Sequence, residues 1–138
     1  MKDITAGTIT QSTLPPNSAA SKHFFKREEF NCRCGCGLNN VSAELIATLD
    51  RIRELADIPL RITSGSRCKK HNAAIGGNAD SAHIKGFAAD IAIDGGHERY
   101  LVVKSAITAG VERLGIGSGL IHLDIDKNKP AQAIWLYA

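Results

Sequence analysis

Aromatic residues are scarce, 5% of the 138-residue chain, which argues against a surface built to stack nucleic-acid bases. No apolar run approaches the ~18 residues of a membrane span, so a transmembrane helix is excluded. The opening Met1-Lys-Asp-Ile-Thr-Ala-Gly7 has no continuous apolar stretch, and an ordinary secretory signal needs one. The chain is therefore expected to be made in the cytoplasm. An excess of one charge is missing too. Seventeen Lys and Arg stand against 14 Asp and Glu, a net charge of +3, and the cations are scattered. That describes a solvated surface with no nucleic-acid partner. Internal repeats are absent, and 138 residues suffice for one domain with a modest core.

Cysteine is limited to Cys32, Cys34, Cys36 and Cys68. The first three fall at i, i+2 and i+4, which does not match the C-x2-C pairing of zinc ribbons. Three states stay open: a structural zinc using all four, a disulfide from Cys68 to one of the others in an oxidising compartment, or reduced buried thiols.

Residues 1–22 are rich in Thr, Ser, Asn and Gly, include Pro15-Pro16, and read as an extended or mobile lead-in to an ordered domain over 23–138. Phe24, Phe25 and Phe30 are placed to cap a core edge. Between Val41 and Asp57, Leu45, Ile46, Leu49, Ile52 and Leu55 form a helical stripe, with Glu44, Asp50, Arg51 and Glu54 mostly opposite. Ser42 or Asn40 suits the N-cap, and Pro59 prevents continuation. Leu60–Ser64 alternates as a short strand, Cys68–Ala74 suits a short helix, and Asn78–Lys85 a loop. Phe87–Ile93 reads as a strand with Phe87, Ala89, Ile91 and Ile93 on one face. A helix is expected over His97–Ala109, with Leu101, Val102, Ala106 and Ile107 or Ala109 inward. Strands follow over Arg113–Gly117, Leu120–Asp126 and Ala133–Tyr137. The pattern is α+β: a single domain with a small, mostly antiparallel sheet flanked by helices.

Asp90 falls mid-strand among small residues, where a carboxylate is costly to bury unless it is paired or bound to a metal. His83 precedes it by seven residues, with Gly86 between, and His122 sits on a later strand. Two imidazoles and a carboxylate suit a three-ligand Zn2+ site with an open fourth position. Asp124 shares a strand face with His122, roughly 6.5–7 Å along the backbone, and is the expected proton acceptor of a hydrolase. Arg67 is the expected donor to a substrate carboxylate or an oxyanion. Asp126 reads as a solvated charge at a strand end. His23, His71 and His97 receive no role.

These residues form larger strings: Ser64-Gly-Ser-Arg67, His71-Asn72, Gly76-Gly77, Ser81-x-His83-x-x-Gly86-x-Ala88-x-Asp90 and His122-x-Asp124. Together they resemble the M15 zinc peptidases, in the branch of the D-alanyl-D-alanine carboxypeptidases, over about residues 23–136. The Phe30-x-Cys32-x-Cys-Gly-Cys-Gly opening is similar to small members encoded by phages or prophages. The resemblance implies the hedgehog/D-Ala-D-Ala peptidase-like fold, Zn2+ held by His83, Asp90 and His122, and a substrate-binding Arg67. It implies cleavage of peptidoglycan stem peptides, by a carboxypeptidase or an endolysin-like endopeptidase. Such an enzyme would act on the bacterial wall as a monomer, after phage-mediated release. One position departs from the family pattern. The better-known members carry the acid/base three residues before the last histidine, and here that residue is Gly119. This departure motivates Asp124 as the base. It also motivates a second reading, a non-catalytic wall-binding or phage-tail module that keeps the zinc fold. A zinc amidase is a third reading to which the resemblance does not point.

Overall fold

The computed structural model describes residues 22–137. The lead-in expected before the domain lies, apart from Lys22, outside the described residues. Helix α1 spans Ala43–Ala56, starting where the Ser42 hydroxyl accepts the Glu44 N–H and ending at Asp57 in the left-handed region. Strand β1 (Ile62–Ser64), helix α2 (Lys69–Ala74), strand β2 (Ala88–Ala92), helix α3 (Gly95–Thr108) and strands β3 (Arg113–Ile116), β4 (Leu120–Asp124) and β5 (Ala133–Leu136) follow.

The five strands form one sheet in the order β1-β2-β4-β3-β5. All pairings are antiparallel except β3 with β5. The fold is the α+β arrangement expected from the sequence. Strand alternation sends one set of β2 and β4 side chains (Ala89, Ile91, Ile121, Leu123) into a core shared with Leu45, Leu49 and Ile52 of α1 and Val102 and Ala106 of α3. Phe30 joins that core fully buried. Among the described residues, no helix is long and apolar enough to cross a membrane.

Of Ile107 and Ala109, the alternatives for the inward face at the end of α3, Ala109 is buried and Ile107 exposed, and Ser105 is buried as well. Asp50, expected on the outer side of α1, is buried. Its carboxylate accepts the N–H groups of Phe24 (2.7 Å) and Phe25 (3.3 Å) and so fastens the incoming chain to the helix.

Gly86 sits at φ +79°, and a Cβ there would lie 2.1 Å from the Asn40 carbonyl oxygen. Its own carbonyl accepts the Ser42 N–H at 2.9 Å, tying the turn before β2 to the start of α1. Gly86→Ala combines a disfavoured backbone conformation with a backbone clash, and should cost about 2–4 kcal/mol. That corresponds to a drop in Tm of roughly 10 °C, measurable by thermal unfolding. An unchanged Tm would show that this turn relaxes freely.

Candidate active site

The face of the sheet opposite the core carries the chemistry. Register aligns Ser64 of β1 with Asp90 of β2, Asp90 with His122 of β4, His122 with Gly115 of β3, and Gly115 with Trp135 of β5. One row of residues thus crosses all five strands. His83 reaches the row from the turn before β2.

The two histidines have one ring nitrogen each committed to protein. His83 donates Nδ1–H to the Gly65 carbonyl at 2.8 Å, so its Nε2 lone pair faces Asp90 Oδ1 at 3.2 Å. His122 donates Nε2–H to Asp124 Oδ2 at 2.8 Å, so its Nδ1 lone pair faces the same Asp90 oxygen at 3.0 Å. These partners fix the tautomers. With both rings neutral, three electron-pair donors therefore converge within 4.8 Å of one another, an arrangement that a cation, or a proton shared by a ring and the carboxylate, satisfies. Both histidines are buried and Asp90 is half-buried. Burial works to raise the Asp90 carboxyl, but the hydrogen bonds and charges of His122 and His83 outweigh it and hold it well below the usual carboxylate range. Burial likewise opposes charge on His122, yet its bonds to Asp124 and Asp90 raise its pKa above the ordinary value.

A family model described as Peptidase M15 matches residues 23–125. The chain belongs to the M15 peptidase family. No curated protein matches it.

Around the three donors, this M15 peptidase presents a cleft of about 610 Å³ whose wall includes Arg67, Ser81, Trp135 and Tyr137. Arg67 is buried and held in place. Its Nη1 donates to Asn72 Oδ1 (3.0 Å), its Nη2 donates to Ser64 Oγ (3.1 Å), and Nη2 stands 3.7 Å from Asp90 Oδ2. Burial lowers the guanidinium's pKa, and the Asp90 charge works to restore it. Asn72 is itself buried and donates Nδ2–H to the Asn78 carbonyl at 2.7 Å. A Cβ on Gly77 would lie 2.2 Å from Asn72 Oδ1, so the glycine makes room for the amide that positions Arg67.

Asp124 does not occupy the position expected of a proton acceptor. It is buried, Oδ2 receives His122 Nε2–H, and Oδ1 receives Arg113 Nε–H at 2.7 Å and the Asp126 N–H at 3.2 Å. The two nitrogens of an imidazole point away from each other. A carboxylate bonded to Nε2 therefore lies behind the ring, on the side away from Asp90. Burial raises the Asp124 carboxyl, but the His122 bond and the neighbouring charges carry its pKa below normal. This geometry suits Asp124 to orient the His122 ring, an arrangement common where a histidine ligates a metal. Asp126, expected as a solvated strand-end charge, is instead buried and accepts from Lys85 Nζ at 2.9 Å. His71 lies away from this cleft, beside the cysteines.

Trp135, Tyr137, Asn72 and Arg113 belong to the site as well, although the sequence pattern gives them no role. Strand alternation was the available signal for the aromatic pair, since Trp135 and Tyr137 are two apart on β5 and its extension. Their rings stand 5.6 and 6.4 Å from the His122 ring, and the Arg113 guanidinium stacks 4.8 Å from Trp135. Both rings lie over Gly115, where a Cβ would come within 2.6 Å of each.

Proposed function

We propose that this M15 peptidase is a zinc-dependent hydrolase of amide bonds in peptidoglycan stem peptides, working on the bacterial wall as a D-Ala-D-Ala carboxypeptidase or an endopeptidase. The observation that carries the reading is the convergence of His83 Nε2, Asp90 and His122 Nδ1 in an open cleft, with the other nitrogen of each histidine already bonded to protein. Those three residues would hold Zn2+, which when bound activates water and polarises a carbonyl.

The chain's own residues do the rest. Asp90 is the one charged ligand, so the site keeps a net positive charge toward an oxyanion. Gly65 and Asp124 orient the two imidazoles. Arg67 offers its guanidinium beside Asp90, suited to a substrate carboxylate or the developing oxyanion. Trp135 and Tyr137 wall the cleft next to His122 and limit water on that side. Burial and the charges of Asp90 and Asp124 raise the Tyr137 phenol's pKa, so it stays protonated and able to donate. The +3 net charge favours approach to an anionic wall.

The test is to incubate the protein with peptidoglycan, with and without a chelator, and identify released fragments by mass. Release of stem-peptide fragments or D-alanine that stops with chelator and returns with Zn2+ is expected. Metal-bound protein that releases nothing would favour the non-catalytic wall-binding module. Arg67→Lys keeps the charge but loses the planar fork. It should lower kcat/KM about 10–100-fold on an active substrate while zinc content stays unchanged. Undiminished kcat/KM would remove Arg67 from the substrate site.

A further inference from the structure

All four cysteines of the chain meet at one place, although 36 positions separate Cys32 from Cys68. The Cys32–Cys34 and Cys34–Cys68 sulfurs are 3.5 and 3.7 Å apart, and the four sulfurs all lie within 4.8 Å of one another. A tetrahedral tetrathiolate zinc with bonds near 2.3 Å requires sulfurs about 3.8 Å apart. A disulfide requires about 2.05 Å, and all four cysteines are free thiols. We propose that Cys32, Cys34, Cys36 and Cys68 bind a second Zn2+, a closed structural site separate from the one formed by His83, Asp90 and His122.

The backbone of the loop is arranged for this. In an extended strand, residues at i and i+4, as Cys32 and Cys36 are, stand roughly 13 Å apart, too far for one metal. Here the chain curls instead. The Gly35 N–H bonds the Cys32 carbonyl at 3.3 Å, and the Cys32 N–H bonds the Leu38 carbonyl at 2.9 Å. Gly35 and Gly37 take φ +84° and +87° with open space where a Cβ would be. They serve backbone direction, not packing. Arg33 points away from the sulfurs' shared space and anchors the loop by donating to the carbonyls of Glu29, Asn31, Ile62 and Thr63.

Two sulfurs already accept backbone hydrogen bonds of the kind that stabilise thiolates. The Cys68 N–H donates to Cys32 Sγ at 3.4 Å, and the His71 N–H donates to Cys68 Sγ at 3.3 Å. Four thiolates around Zn2+ carry a net charge of −2, and Lys70 and His71 line the same hollow as Cys34, Cys36 and Cys68. The site would clip the 32–36 loop to Cys68. The residue before Cys68 is Arg67, and Gly65, just upstream, receives the His83 Nδ1–H. The second metal thus braces the segment that sets both the substrate arginine and one catalytic-site histidine.

The experiment counts metal in the full chain, expressed with zinc and purified without chelator. The wild type should hold two Zn2+ per chain. His83→Ala should hold one, and so should Cys34→Ser/Cys36→Ser, which alters only exposed thiols and so limits damage to the core. Loading Co2+ should give intense sulfur-to-cobalt charge-transfer bands in the wild type and in His83→Ala, and none in the double serine variant. A single zinc in the wild type that disappears in His83→Ala would overturn the proposal. So would a mass loss showing disulfides in the native protein, or four thiols that react with a disulfide reagent as fast in the zinc-treated protein as in the unfolded chain. If His83→Ala instead keeps both metals, the peptidase-site assignment fails while the cysteine site stands.

Discussion

His83→Ala should abolish turnover, lowering kcat/KM by about 10⁴-fold or more, because it removes one of three groups that would hold the catalytic metal. His83 contributes more than a lone pair. Its Nδ1–H bond to Gly65 sets the ring so that Nε2 faces Asp90. Alanine leaves the Gly65 carbonyl without this partner and leaves Asp90 with only His122 and Arg67 beside it. The measurements are zinc content and cleavage of peptidoglycan by the same preparation. The expected result is loss of one metal per chain together with loss of activity, in a protein that still gives the circular dichroism of the wild type. His83→Ala that is folded and fully active would show that the chemistry resides elsewhere. Excess Zn2+ should restore little, since the missing ligand lowers affinity at any reachable concentration.

Asp124→Asn separates two roles for the same carboxylate. A proton acceptor would be lost outright, with metal affinity untouched and kcat down by several orders of magnitude. The structure leads to a different expectation. Asp124 receives hydrogens from His122 Nε2 and Arg113 Nε on its two oxygens. An asparagine has one acceptor oxygen, so one of these donors must face an NH2 group. His122 then loses orientation and basicity. Zinc affinity should fall about 10–100-fold, and activity should fall by a similar factor at limiting zinc. Much of that activity should return when zinc is raised. Asp124→Ala should be harsher, because removing one partner of a buried ion pair costs about 3–5 kcal/mol, and Arg113 would be left beside Trp135 without its carboxylate. Kinetics across a zinc titration decide the matter. A kcat that stays down by several orders of magnitude at saturating zinc would restore Asp124 as the base.

How far the site could be read from the chain varies by residue. His83, Asp90 and His122 were legible because the strand alternation around Asp90 is strict and leaves a carboxylate among small residues, a placement that needs a cation. Arg67 stood out through the strings around it. Asn72 and Gly77 lie in those strings too, but their joint purpose, an amide tucked against a glycine to hold Arg67, depends on a close approach, with room for no Cβ at Gly77, that no spacing reveals. The acids were the weakest part. Asp50, Asp124 and Asp126 are all buried, whereas the sequence pattern places Asp50 and Asp126 toward solvent and Asp124 toward the reacting water. Polar residues are ordinarily exposed, and the partners that reverse the rule here (the Phe24 N–H, Arg113 and Lys85) come from other segments.

By itself, then, the sequence determined the α+β elements, their boundaries to within a few residues, the single-domain organisation and the three candidate metal ligands. These follow from short-range regularities: periods of 2 and 3.6, capping at Ser42, and glycines where the chain turns. Only the tertiary structure decided which nitrogen of His122 faces Asp90, that Asp124 stands behind that ring, that Trp135 joins the row through Gly115, and that Cys68 meets the 32–36 loop. Each of these is a pairing between segments distant in the chain. Local propensity is blind to such pairings, because they are set by strand register and by which buried polar groups find one another when the core closes.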